Sequence, residues 1–144
     1  KEISQPSKYL SITFKTHKML KSEKTNPAYP RSVRSVILTL DMQGFENFRA
    51  ELPEYEAPGS IVAQQEETSF TPDITAMHRD GHKGYFEIAQ KTPDESQLAR
   101  KWELLSYLAK ARNGIFKVFV PSGHMRFTQN LISRYQLDLE IAKL

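Results

Sequence analysis

Residues 85–120 follow one another as a strand, a helix and a strand, and this succession constrains the fold more than any other segment. The helix start is clearly marked, since Thr92-Pro93-Asp94-Glu95 supplies an N-cap hydroxyl, a proline at the first helical position and a glutamate three residues after the cap. Asn113-Gly114 ends the helix with residues that tolerate a left-handed backbone. A strand, helix, strand connection is right-handed and leaves its strands parallel, which predicts an α/β domain. The apolar stripe of the helix consists of Leu98, Trp102, Leu105 and Ala109.

A β-hairpin precedes this helix. Residues 71–78 and 85–91 have strand character, and the turn between them, residues 79–84, is polar and contains glycine. Asp73 falls near the start of the first strand and Glu87 in the middle of the second. Both carboxylates can therefore point to one face of the sheet.

The remaining elements are predicted from apolar spacing. Apolar residues between Val33 and Leu52 recur at intervals of three to five, which predicts a helix ending at Pro53. The β-branched pair Val36-Ile37 keeps open a short strand followed by a helix from Phe45. We expect a first strand at residues 59–67, a third helix at 125–135, a strand at 115–120 and a last strand at 137–142.

Composition limits the class of protein. The chain has 144 residues and a mass of 16.6 kDa, which is one domain's worth, and it has no cysteine. Thiol catalysis and cysteine-ligated zinc are thereby excluded, and a reducing, cytoplasmic location is expected. No stretch approaches the roughly 20 apolar residues of a membrane span. Because the first residue is Lys rather than Met, we expect processing or excision from a longer chain.

The positive charge is concentrated at the N-terminus. Residues 1–30 hold six lysines against two glutamates, so this arm carries more than the whole chain's net charge of +3. Tyr9, Phe14 and Tyr29 are interleaved with the lysines, as in segments that follow a phosphate backbone and stack on bases. The alternative is a solvated extension whose lysines aid solubility. We expect residues 31–144 to form the folded domain.

The order helix, three strands, helix, strand, with one acid after the first strand and another in the third, resembles the PD-(D/E)xK superfamily. Pro72-Asp73 matches the first half of its motif and Glu87 the second acid, while Glu46 or Glu51 could be the extra acid that many members carry on the first helix. Ala89 stands where the motif has lysine. The resemblance implies the restriction-endonuclease-like fold, an α/β domain with a mixed sheet of four to five strands flanked by helices, followed here by a further helix and strand. Residues 120–124 also resemble uncharacterised bacterial proteins of this fold.

The resemblance implies a metal-dependent nuclease acting on DNA. Asp73, Glu87 and the backbone carbonyl of Ile88 would hold Mg²⁺ or Mn²⁺, which activates water and neutralises charge on the phosphate. A lysine normally stabilises that charge. The alternative is a catalytically decayed copy that binds DNA or protein as a subunit, and a homodimer or partner subunit is expected in either case.

Two lysines are candidates to replace the lysine missing at position 89. Lys91 shares a strand face with Glu87 but lies about 13 Å further along, so a bulge would have to shorten the path. Lys101 is about 13 Å along the helix from Thr92 and about 50° from the apolar stripe, so it comes level with Glu87 if the helix covers that face. The alternative for Lys101 is an ordinary snorkelling side chain. We expect Lys101→Ala to preserve folding and Ala89→Lys to raise activity.

Other polar groups are weaker candidates. His78 and His82 are four residues apart on a strand and a turn, a spacing that does not direct both at one metal. Ser122, Gly123 and Arg126 stand at the N-terminus of the third helix, where they either bind a phosphate or cap the helix.

Overall fold

The computed structural model describes residues 26–63 and 68–144. Residues 1–25 of the basic arm therefore lie outside the described part of the chain. In the described part of the chain the elements are, in order, α1 (Ala28–Met42), β1 (Phe45–Ala50), β2 (Ile61–Ala63), β3 (Thr68–Phe70), β4 (Ile74–His78), β5 (Lys83–Ile88), α2 (Glu95–Ala111), β6 (Ile115–Val120), α3 (Met125–Tyr135) and β7 (Glu140–Lys143).

A mixed five-stranded sheet organises the domain, with strand order β1-β4-β5-β6-β7. Strands β1, β4 and β5 are antiparallel neighbours, whereas β5, β6 and β7 are parallel neighbours. This arrangement confirms the α/β class, the hairpin and the parallel pair joined by α2. Strands β2 and β3 form a separate two-stranded sheet between β1 and β4 in the chain.

Helices cover both faces of the sheet, as strand alternation requires. Helix α1 packs its buried residues against Ile74, Ala76 and Phe86 on one face. Trp102 and Leu105 of α2 pack against the other face, where they form a second core with apolar residues of β5 and β6. Tyr85 and Ala89 belong to the core under α2 and lie two residues before and after Glu87. The Glu87 side chain therefore points to the face of the sheet that α2 covers.

The predicted helix from Val33 to Leu52 is wrong in its second half, and so is the alternative of a strand followed by a helix. Helix α1 ends before Gly44, whose positive φ of 99° turns the chain, and β1 follows. A β-bulge between Glu46 and Arg49 adds one residue to the strand. Phe45 and Ala50 consequently enter the same core although they are five residues apart, a spacing that imitates a helix.

Several boundaries also differ from those predicted. Helix α1 begins at Ala28 and buries Tyr29, so these residues belong to the folded domain. Of the strand predicted at 59–67, β2 forms but pairs with β3 outside the main sheet, and residues 64–67 lie outside the described part. The N-cap of α2 is Asp94, which accepts a hydrogen bond from the Gln97 amide, rather than Thr92. β6 and α3 span the predicted residues, and β7 begins three residues late.

Candidate active site

The hairpin brings Asp73 and Glu87 together. Ile74 pairs with Phe86 across β4 and β5, which places Asp73 beside Glu87 at the end of the hairpin away from the turn. The backbone N–H of Asp73 donates to Glu87 Oε2 at 3.0 Å. In the opposite direction, the N–H of Ile88 donates to Asp73 Oδ2 at 2.8 Å. Both side chains are buried, with 3% of Asp73 and 2% of Glu87 exposed.

Two consecutive residues of α2 contact the Glu87 carboxylate. Lys101 Nζ lies 3.1 Å from Oε2, and the indole N–H of Trp102 donates to Oε1 at 3.0 Å. Because α2 covers the face of the sheet that bears Glu87, Lys101 comes level with this acid. The snorkelling alternative is wrong, since only 5% of Lys101 is exposed and its ammonium lies inside the domain.

The side chain that donates a hydrogen bond to Asp73 comes from α1, the helix on the other face of the sheet. The buried hydroxyl of Tyr29 on α1 donates to Asp73 Oδ1 at 2.8 Å. Burial, followed by the nearby charge of Asp73, raises the pKa of Tyr29 far above its ordinary value, so the phenol remains a donor. A donated hydrogen bond in turn favours the ionised form of Asp73. The charge of Glu51 also raises the pKa of Tyr29, which places Glu51 near this cluster.

Tyr29→Phe should lower the free energy of unfolding by about 1.5 to 3 kcal/mol, the usual loss for a hydrogen bond to a charged group. The variant removes one buried donor from Asp73 and leaves the ring in place. Urea denaturation at pH 7 measures the change. Tyr107→Phe is the matched control, because Tyr107 is 73% exposed and should change stability by less than about 0.5 kcal/mol. Equal losses in both variants would contradict the role given to the Tyr29 hydroxyl.

Lys91 occupies a different place from Lys101. It follows the end of β5, is exposed, and makes no ion pair within the described residues. Its backbone N–H donates to His124 Nδ1 at 3.2 Å, and burial together with the charge of Lys91 lowers the pKa of His124. The β5 register is regular, so no bulge turns Lys91 toward Glu87. The structure therefore brings Lys101, and not Lys91, to the acidic pair.

The extra acid predicted on the first helix is not there. Glu46 lies on β1 and is exposed, while Glu51 follows β1 directly. Both differences from the prediction have one cause, because the β-bulge gives β1 an apolar spacing that resembles a helix. Glu51 nevertheless lies close enough to Tyr29 to influence its ionisation.

Carboxylate oxygens are ligands of the kind that a hard divalent cation prefers, but all four oxygens of Asp73 and Glu87 accept hydrogen bonds from the protein in this structure. Mg²⁺ is usually held by one or two carboxylates and several waters, and Asp73 and Glu87 supply two carboxylates beside the backbone of Ile88. Within residues 26–63 and 68–144, no group of three or more His, Cys, Asp or Glu side chains could hold a metal. The imidazoles of His78 and His82 both contact Asp80 in the hairpin turn instead.

Two residues of this cluster are not predicted from the sequence. Tyr29 falls within the basic arm and Trp102 within an apolar stripe, so neither position marks a donor to the acids. A tryptophan next to a lysine on a helix that covers an acidic strand offers a signal for Trp102, because a buried indole N–H requires an acceptor. No comparable local signal exists for Tyr29, which lies 44 residues from Asp73 in the chain.

No family model, curated protein or solved structure matches this chain significantly. The likeness to the PD-(D/E)xK superfamily thus depends on the residues and on the order of elements. Among the described residues, no helix has the length and apolar character needed to cross a membrane.

Proposed function

We propose that this chain is a metal-dependent nuclease domain of the restriction-endonuclease-like class that hydrolyses phosphodiester bonds in DNA. The observation that carries the proposal is the 3.1 Å contact between Lys101 Nζ and Glu87 Oε2 beside Asp73. These are the three residue types that the motif requires. The lysine comes from α2 instead of from position 89 of the strand.

The chain topology supports this proposal. Helix α1, the antiparallel strands β1, β4 and β5, helix α2 and the parallel strand β6 are compatible with the order helix, three strands, helix, strand, although β1 takes the place of the strand predicted at 59–67. The β2-β3 pair is an addition between the first and second strands of that order. Asp73 directly precedes the second of those strands, and Glu87 lies on the third.

The energetics of the cluster also favour a functional role. Burial of a lysine and a glutamate removes both charges from water, and their attraction seldom repays this cost in stability. Well-packed apolar residues of similar volume would stabilise the domain as well or better. Groups held in such an environment are concentrated at functional sites.

Each residue has a distinct task in the proposed reaction. Asp73, Glu87 and the Ile88 carbonyl would hold the divalent ion, which activates water and neutralises the developing phosphate charge when bound. The Lys101 ammonium orients Glu87 and donates to the oxyanion that develops on the phosphate. Tyr29 and Trp102 orient the two carboxylates, as the groups around metal ligands commonly do.

A second candidate function is a non-catalytic binding subunit, and one specific observation favours it. All four carboxylate oxygens of Asp73 and Glu87 accept hydrogen bonds from protein donors, and both side chains are almost fully buried. Such a closed network also describes a site that has lost its substrate.

Cleavage assays on single- and double-stranded DNA with Mg²⁺ and Mn²⁺ separate the two functions. We expect cleavage by the wild-type chain and a loss of at least about a hundredfold in Asp73→Asn. Asp41→Asn is the matched control, because Asp41 is an exposed acid on α1. Cleavage that survives Asp73→Asn comes from a contaminant and counts against the nuclease. DNA binding without cleavage identifies the binding subunit.

A further inference from the structure

A cavity of about 530 Å³ is lined by residues of strands β1 and β4, by the loop that follows β1 and by Lys83 at the start of β5. Thr75, Ala76 and Met77 of β4 line it, and two other lining residues, Phe48 and Tyr55, pack against the α1 core. We call it the β1 cavity.

The β1 cavity and the proposed active site share strands β4 and β5. Thr75, which lines the cavity, follows Asp73 by two residues, a distance of about 7 Å along a strand. Opposite Thr75 is Tyr85, which precedes Glu87 by two residues. A polymer whose phosphate lies at Asp73 and Glu87 thus has its neighbouring unit within reach of the cavity.

The lining of the cavity combines aromatic and cationic groups. Tyr55, Phe48, Arg49 and Lys83 are all among the lining residues. Arg49 pairs with Glu56 at 3.4 Å, but both side chains are more than half exposed, and such pairs contribute little. The Arg49 guanidinium is consequently available to an anionic ligand.

Glu54 also lines the cavity, but its charge is already matched. Arg34 donates to both Glu54 oxygens, at 2.7 and 3.0 Å. These hydrogen bonds lower the pKa of Glu54 to about 2. The lining thus has two cations, Arg49 and Lys83, and two carboxylates, and Arg34 outside the lining already pairs with one of these carboxylates.

The backbone of β1 is shaped at this point. Asn47 has a positive φ of 56°, and the bulge between Glu46 and Arg49 surrounds it. Bulges of this kind redirect side chains and are frequent beside active sites. A non-glycine residue held in the left-handed region likewise suggests a functional constraint. Here the distortion shapes the strand that supplies Asn47, Phe48 and Arg49 to the cavity.

We infer that the β1 cavity binds one unpaired nucleotide of the substrate strand, next to the phosphate that is cleaved. This inference rests on the proposed function. The volume of the cavity is within the range of small-ligand sites, and a base must be unpaired to stack on Tyr55 inside it. Tyr55 offers a surface for base stacking, and Arg49 and Lys83 are placed for the adjacent phosphate. The substrate is therefore single-stranded DNA or a duplex with an unpaired nucleotide.

Binding measured without catalysis tests this inference. The full chain in EDTA is titrated against a fluorescent single-stranded 12-nucleotide oligonucleotide and the matching duplex, with anisotropy as the readout. We expect the single strand to bind more tightly. Arg49→Gln/Lys83→Gln should lose about tenfold or more in affinity, and the slope of log affinity against log salt should shrink by about 1.4. Lys110→Gln/Lys143→Gln removes the same charge far from the cavity and should lose less than about threefold.

Tyr55→Leu provides an independent test, because it keeps apolar volume but removes the ring. We expect a loss of about tenfold in single-strand affinity and an unchanged salt slope. Equal losses in the cavity and control pairs, equal affinity for duplex, or no binding by the wild type would overturn the inference. These outcomes differ from failure of the proposed function, because Asp73-dependent cleavage without cavity-dependent binding leaves the nuclease intact. Binding that depends on the cavity residues, without cleavage, supports the inference about the cavity and counts against the nuclease.

Discussion

Lys101→Ala is expected to lower the free energy of unfolding by about 3 to 5 kcal/mol, because it leaves the Glu87 carboxylate buried without its ammonium partner. Only 6% of the Lys101 side chain and 2% of the Glu87 side chain are exposed, so water cannot replace the lost ammonium. This reverses the expectation from sequence, where a lysine at the core edge was dispensable for folding. Urea denaturation at pH 7 gives the value.

The double variant Glu87→Gln/Lys101→Ala distinguishes a lost ion pair from lost packing. Once Glu87 is neutral, the missing ammonium matters less, and the double variant should be more stable than Lys101→Ala alone. The deficit of Lys101→Ala should also shrink as pH falls toward about 4, because an unpaired buried glutamate has a raised pKa and gains a proton. Lys110→Ala on the exposed side of α2 is the control. Additive losses in the double variant would show that Lys101 contributes only packing.

Cleavage should depend on which backbone position supplies the lysine. In the proposed nuclease, Lys101→Ala should reduce the cleavage rate by on the order of a hundredfold or more, as for loss of a donor to a developing oxyanion. Lys91→Ala should have little effect, because Lys91 is exposed beside His124. Cleavage rates with saturating Mg²⁺ on the preferred substrate measure both changes. A loss with Lys91→Ala as large as that with Lys101→Ala would contradict the assignment.

The exchange Lys101→Ala/Ala89→Lys extends this test. Ala89 is fully buried in the core under α2, so Ala89→Lys alone inserts a second stem and ammonium into filled space. We therefore expect the single variant to lose stability and rate, contrary to the gain predicted from the motif. When Lys101 is alanine, its stem no longer occupies the space near Glu87, and a lysine at position 89 can recover part of the rate. If the double variant cleaves no faster than Lys101→Ala, the site requires the lysine of α2.

Local patterns predicted the elements whose signals are short in range. The hairpin around residues 79–84 was readable because turn residues and alternation lie within 20 positions, and it placed Asp73 beside Glu87. Helix α2 was equally clear from its stripe, although its cap is Asp94 rather than Thr92. Strand β1 was not, because a bulge changes the period of two on which a strand is recognised.

By itself, then, the sequence determined the α/β class, the parallel pair across α2, and an acidic pair held by hairpin register. These features follow from backbone periodicity and turn chemistry, which act between near neighbours in the chain. Only the tertiary structure decided which donors surround the acids, because Tyr29 and Lys101 reach them through the packing of separate helices on the sheet. Lys91 and Lys101 both stood at plausible spacings from Glu87. Lys101 is buried because packing against the whole sheet sets the rotation of α2 about its axis, which no local pattern specifies. Lys91 is exposed because it lies beyond the end of β5.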